Sequence, residues 1–464
     1  MSKKTRGSRQ PELFGRSKSP TIPIEENHRL VQLADKLDWT ELEVRAENVR
    51  ASKLKNGAGR PPQLRALLGA MVFRATRYMP YRVLADQIRH YAPARYLCGL
   101  TETAWSPDHN TLHDFMELMG EEGTRFINEY VVEWAVEEKL ADPKVLVADT
   151  TAQEGVLPYP NEMGLMGSFV TTVVAASKKA GPALKDFVGK AAKQITAAKE
   201  QLRDYRLFAK EKTKAGKDRM TAQLATLVEA IQTQLGTALK AADASKERLG
   251  KYARLATAKV QQLHCTMSKL VPQIRYWLRT GFVAAEKVIS LHIPQLYSIV
   301  RGKVGKKVEF GVSWGIRRLK GGYLLATVAS AKKEMHDTRF AISAVDEHIA
   351  LFGKPPTAYA YDRAGWSERN ITELQKRGVK EVGLAPRGRA AWKVSAATKK
   401  KLVSERAQVE GGIGTIKHAK YGFNRPAARS VRMMGFCGQA ATLGFNLNKL
   451  VRELAAREMV QLVG

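Results

Sequence analysis

Apolar residues change their spacing several times along the chain, and each change predicts an element. Early on they recur every three or four residues. Leu64, Leu67, Leu68 and Met71 share a helical face behind the Pro61-Pro62 pair, a helix-start signal. Pro80 ends or kinks that element, and Val83, Leu84 and Ile88 open a new stripe. Ser106-Pro107 reads as an N-cap and first-turn proline ahead of Leu112, Phe115, Met116 and Met119. Residues 26–140 are therefore predicted to be helical throughout, with Arg65, Arg74, Arg77, Arg82 and Arg89 on the polar faces.

The spacing shortens at Val145-Leu146-Val147-Ala148, a β-branched run that reads as a buried strand ending at Asp149. Helical spacing returns over 180–265, through Leu184, Phe187, Ala191, Ile195, Ala198, Leu202 and Tyr205 and again from Met220 to Leu235. The interruption at 213–218, with Gly216, predicts an antiparallel, coiled-coil-like hairpin, continued by helix to about residue 290. Strict alternation at Val308, Phe310, Val312, Trp314 and Ile316 then marks a strand. Lys320-Gly321-Gly322 turns it back into a second strand over 323–328. A helix over 336–352, a strand over 357–361 ending at Asp362, a helix over 367–377, a strand over 379–384 and a helix over 398–420 follow. This order predicts an α/β domain with a mixed sheet, interrupted by a long helical insertion and preceded by an all-α domain.

The chain has 464 residues, 44% apolar and 26% charged, so several folding units fit and global disorder is excluded. Lys and Arg number 76 against 45 Asp and Glu, a net charge of +31. That excess favours a polyanionic partner, with nucleic acid first. The basic helices of 26–140 then suit either a small DNA-binding domain, helix-turn-helix-like, or a bundle with a solvated basic face. Residues 1–25 hold six Lys and Arg and read as a flexible basic arm. A membrane partner would need an anchor, and neither a lipidation signal nor an apolar run of 18 residues is present. Cys98, Cys265 and Cys437 are scattered, which excludes a disulfide framework or a cysteine zinc site and fits a reducing, cytoplasmic setting.

Candidate chemistry lies in carboxylates. Asp149 and Asp362 each close an apolar strand, where side chains reach the ligand cleft of α/β sheets. Glu410 adds a third carboxylate from a helix, and Arg406 and Lys417 share its face. Gly411, Gly412 and Gly414 each cost that helix about 1 kcal/mol relative to Ala, and close approach of a DNA backbone is one reason to keep them. An all-oxygen site of three carboxylates suits two Mg²⁺ or Mn²⁺ ions and in-line phosphoryl transfer. Glu154 and Glu309 read as structural acids, and Gly302-Lys303-Val304-Gly305-Lys306 lacks phosphate-loop spacing.

Arg406-x3-Glu410-x6-Lys417 resembles the signature around the catalytic glutamate of bacterial DDE insertion-sequence transposases, Y-x2-R-x3-E-x6-K, with Val403 where that family has Tyr. Asp149-Thr150-Thr151, Tyr361-Asp362-Arg363-Ala364-Gly365 and the segment from Ser106 to Leu112 are similar to other family segments. The resemblance implies an RNase H-like catalytic domain over 141–175 and 300–464, a helical insertion over 176–299 and a DNA-binding domain over 26–140. It implies that Asp149, Asp362 and Glu410 hold two divalent metals, and that Arg406 and Lys417 clamp DNA phosphates. Trp366 would stack on an exposed base or serve as a core tryptophan. Lys420 and Arg425 would extend the basic track or remain solvated charges. The implied activity is cleavage at transposon ends and strand transfer into target DNA. The partners would be double-stranded DNA, as terminal inverted repeats and target, and a second copy of the chain in a synaptic homodimer. The setting would be the bacterial cytoplasm, at the nucleoid. A metal nuclease without strand transfer, or a DNA-binding protein that has lost catalysis, stays open beside it.

Overall fold

The computed structural model describes residues 24–53, 62–245, 248–303, 306–329, 335–386, 392 and 394–463. The basic arm expected over 1–25 lies outside the described residues but for its last two. The chain divides into two units, Met1–Leu118 with Val451–Gly464, and Met119–Leu450. No helix among the described residues is long and apolar enough to cross a membrane.

The first unit holds α1 (Arg29–Lys36), α2 (Trp39–Lys53), α3 (Leu64–Thr76), α4 (Tyr81–His90), α5 (Ala92–Leu97) and the opening turns of α6 (His109–Glu137), with no strand among its described residues. α6 breaks at Gly120, whose φ of 62° suits glycine. α3 packs against α2, α4 and α5, and Ala66 to Thr76 are all buried, so it keeps almost no polar face. Gly69 is the reason α5 can come so close, since a Cβ there would lie 2.7 Å from the Cys98 Cα. The expectation of five outward arginines fails at two of them. Arg74 is buried, with its guanidinium 4.7 Å and 4.6 Å from the Tyr78 and Tyr81 ring centroids and its Nε donating to the Met79 carbonyl at 3.1 Å. Arg65 lies 3.3 Å over the Trp39 ring and donates to the Leu97 carbonyl, and burial pushes its pKa down to about 10. Arg77, Arg82 and Arg89 are exposed.

The second unit begins its sheet with β1 (Asp142–Glu154). A helical block follows, with α7 (Glu162–Ser177), α8 (Pro182–Lys190), α9 (Ala192–Phe208), α10 (Lys214–Ala244) and α11 (Lys251–Thr280). Phe169, Phe187, Ala198, Ile231 and Leu263 belong to its single apolar core, and α10 packs on all four other helices. Asn161 caps α7 by accepting from the Gly164 amide at 2.6 Å, and Thr213 caps α10 by accepting from the Gly216 amide at 3.2 Å. The helix expected to run to about 290 stops at Thr280, where Gly281 takes a left-handed φ of 75° as the cap.

The remaining elements are β2 (Tyr297–Lys303), β3 (Lys306–Lys320), β4 (Leu324–Val328), α12 (Asp337–Phe352), β5 (Ala358–Tyr361), α13 (Glu368–Lys376), β6 (Glu381–Leu384), α14 (Ala396–Ile416) and α15 (Val431–Val463). The fold is mixed α/β with a six-stranded sheet ordered β2-β3-β1-β5-β6, and β4 also pairs with β3. β3 is antiparallel to β1, β2 and β4, whereas β1, β5 and β6 run parallel. β2 was not expected from the sequence. β1 also runs five residues beyond Asp149, because the long β3 continues to pair with it as far as Glu154 opposite Gly311.

One sheet face carries Val145, Val147, Trp314, Ile316, Ala358 and Ala360, and packs in one core with Leu402, Val409, Ile413 and Ile416 of α14. Each buried Val, Leu or Ile among them contributes about 2 kcal/mol. Arg318 of β3 adds an ion pair to Glu405 at 2.5 Å and a hydrogen bond to Gln408. Together these contacts fix the helix turn that precedes Glu410.

Candidate active site

Two strands bring the aspartates together. The last parallel pair between β1 and β5 is Val147 with Ala360. Asp149 and Asp362 each follow two residues later, so the pleat returns both to the face on which Val147 and Ala360 meet α14. Asp149 is opposite Ile316 of β3, and its Oδ1 accepts from the Thr150 amide at 2.7 Å. Asp362 caps a short 3-10 turn, with Oδ1 accepting from the Arg363 amide at 2.5 Å.

α14 supplies the opposing wall. Asp149, Asp362, Glu410 and Lys417 line one open cleft of about 600 Å³, with Thr150, Thr151, Asp337 and Gly414 also on its surface. Lys417 stands just past the last residue of α14, as its C-cap. A Cβ at Gly411 or Gly414 would meet nothing within 4 Å, so this stretch of helix presents bare backbone to open space. The Arg406 Nη2 lies 3.1 Å from Asp362 Oδ1 and 3.4 Å from Glu410 Oε1, so one guanidinium nitrogen stands between two carboxylates. Among the described residues, ligand atoms of three residues come within 4.8 Å of one another only at His113, Asp114 and Glu117. No three of the cleft carboxylates therefore come that close together, and Arg406 stands between two of them.

The other residues named from the sequence lie outside the cleft lining. Trp366 is half-buried and follows the 3-10 turn after Asp362. Lys420 is exposed, with Nζ 5.3 Å from the Tyr421 ring centroid. Arg425 has a φ of 49°, and its Nε donates to Glu154 Oε2 at 3.0 Å. Glu154 and Glu309 are both buried. Sequence reasoning missed Asp337. It is a first-turn acid of α12, with nothing in the sequence to set it apart from any other helix-start aspartate.

A second cavity, of about 800 Å³, is lined by the 156–161 loop, the 289–293 segment and Lys259 of α11, with no carboxylate among its described lining residues. Burial lowers the Lys259 pKa, and burial together with that nearby lysine lowers the His292 pKa. It offers an apolar surface with a cationic edge.

Residues 20–118 match the family model described as "Transposase domain (DUF772)". No curated protein and no solved structure matches the chain. The match falls on residues of the helical first unit, none of which lines the carboxylate cleft, and supports the resemblance to insertion-sequence transposases from a part of the chain independent of the glutamate signature.

Proposed function

We propose that the protein is a DDE transposase that cuts DNA at transposon ends and joins them to target DNA. The observation that carries this reading is the cleft. Asp149, Asp362 and Glu410, far apart in sequence, line it together with Lys417, in a chain whose first unit matches a transposase domain. The mixed sheet, with one aspartate on β1 and the next at the end of the adjacent parallel β5, supports an RNase H-like assignment.

The donor set fits divalent metal. Its carboxylates offer only oxygen, and no His or Cys is among the described lining residues. The guanidinium held between Asp362 and Glu410 is already a cation at the same spot. Asp149, Asp362 and Glu410 would hold Mg²⁺ or Mn²⁺, and such ions activate an attacking oxygen and stabilise a leaving one. Every other contribution comes from side chains and backbone. Lys417 places a positive charge on the cleft surface, where a phosphate would pass. Arg406 would exchange its carboxylate partners for phosphate when the cleft fills. Gly411 and Gly414 leave room for a DNA backbone against α14. The net charge of +31 draws the polyanion in, and Arg77, Arg82 and Arg89 are exposed cations of the first unit for holding it.

The test uses the DNA that flanks the gene on both sides, where this reading expects inverted repeats. With Mg²⁺, the protein is expected to cleave at their ends and join them to a second duplex. The Asp362→Asn chain should bind the same DNA and leave it intact. Cleaved ends with no joined product would reduce the activity to that of a nuclease. Cleavage by the Asp362→Asn chain at the wild-type rate would end the reading.

A further inference from the structure

Asp337 stands on the cleft rim with a bonding pattern that its position in the sequence did not suggest. Its Oδ1 accepts from Thr150 Oγ1 and from Tyr361 Oη, each at 2.8 Å. Those two residues directly follow Asp149 and directly precede Asp362. Successive side chains of a strand point to opposite faces. The aspartates therefore face α14, while Thr150 and Tyr361 face α12. We propose that Asp337 is a positioning residue, tying the ends of β1 and β5 together from behind so that Asp149 and Asp362 are held at a fixed separation. The proposal rests on the reading of the cleft as a metal site.

The surroundings are built for such a tie. Phe340, one turn beyond Asp337, fills the space over Gly315, where a Cβ would lie 2.1 Å from its ring. Gly315 is the ladder partner of Thr150, so the helix is seated on the sheet beside the bond it makes. The Phe340 and Tyr361 rings meet edge to face at 6.1 Å. A single Asn370 amide donates to the Thr338 carbonyl at 2.9 Å and to the Gly365 carbonyl at 2.8 Å, locking the first turn of α12 to the turn that follows Asp362. Two hydroxyl donors converging on one carboxylate oxygen make charge-assisted bonds, stronger than neutral ones.

The experiment measures Mn²⁺ binding to the full chain by electron paramagnetic resonance, without DNA and without turnover. Asp149→Asn and Asp362→Asn set the baseline for loss of the site. Asp337→Ala should weaken Mn²⁺ binding by about tenfold, the low end for loss of a group that orients metal ligands. Asp337→Asn keeps an oxygen acceptor for both hydroxyls and should stay within about threefold of wild type, a smaller loss than removal of such a group gives. Thr150→Val and Tyr361→Phe each remove one donor with little change of shape. Each should lower affinity by a smaller factor, and they test the tie even if Asp337→Ala does not fold. Wild-type affinity in both single-donor variants overturns the proposal. So does an Asp337→Asn loss as large as that of Asp337→Ala, which would make Asp337 a ligand through its charge. Wild-type Mn²⁺ binding by Asp149→Asn and Asp362→Asn would instead remove the metal site itself, and the tie with it.

Discussion

Arg74 of the first unit and Arg406 of the second do opposite things. In the first, Arg74 is buried among Tyr78, Tyr81 and the Met79 carbonyl, and Arg65 lies over Trp39. In the second, Arg406 stays a third exposed between two carboxylates of an open cleft. The surplus of positive charge is thus not one footprint. Part of it is spent as flat, stackable bulk that fixes helices, because a guanidinium combines a planar apolar face with in-plane donors. Part stands where an anion can reach it. Burial separates the two uses, and a charge count cannot.

The sharpest way to break this contrast is at the cleft. Asp149→Asn and Glu410→Gln should each lower Mg²⁺-dependent strand cleavage by a factor on the order of 10²–10³ while DNA affinity stays within error. Cleavage is read on plasmid carrying the DNA that flanks the gene, and affinity by a gel shift. Parallel loss of both would mean that the carboxylates hold the fold rather than the reaction.

Arg318 should behave unlike Arg406. Its pair with Glu405 is nearly closed to solvent, at 7% and 15% side-chain exposure. Arg318→Met strands the glutamate and should cost about 3 kcal/mol, seen as a lower urea midpoint of the second unit. Arg406→Ala, at a pair open to solvent, should move stability by less than about 1 kcal/mol and act on turnover instead. Equal midpoints for the two variants would erase the distinction between buried and open arginine.

His348 of α12 tests burial by pH. Burial and the nearby Arg317 push its pKa down to about 4, against an unfolded value of 6.5. The unfolded chain therefore binds the extra proton first. Stability is intact above pH 6.5 and falls toward pH 4, by about 3 kcal/mol in all. Melting temperatures of wild type and His348→Gln should converge as the pH drops through that window, and a constant gap would refute the assignment.

Much of this was legible because strands advertise themselves. The alternation from Val308 to Ile316 gave β3, and the apolar runs before Asp149 and Asp362 gave two strands that prove to be parallel neighbours. The cleft lining that joins Asp149, Asp362 and Glu410 follows from that pairing and from the Leu402, Val409, Ile413 and Ile416 stripe of α14. What the sequence hid was the packing of one element on another. β2 has no alternation of its own to distinguish it and exists because β3 offers it an edge. Arg74 has the same local spacing as a solvated residue, and only the packing of α2, α4 and α5 around α3 decides that it is enclosed. Asp337 needed α12 to be seated against Gly315 before its two hydroxyl partners could appear.

The smallest effects test the first unit. Arg74→Leu keeps the bulk but strands the Met79 carbonyl and loses the ring contacts, so it should cost about 2 kcal/mol of stability. It should leave the salt dependence of DNA binding unchanged, because a buried guanidinium releases no counterion. Arg82→Ala is the reverse case. Its side chain is exposed on α4, so stability should move by no more than about 0.5 kcal/mol. If Arg82 meets a phosphate, affinity falls alike on all sequences, and the slope of log affinity against log salt drops by about one. A change in slope for Arg74→Leu together with none for Arg82→Ala would invert the division of labour, placing the DNA-facing charge on the enclosed helix that packing says it cannot occupy.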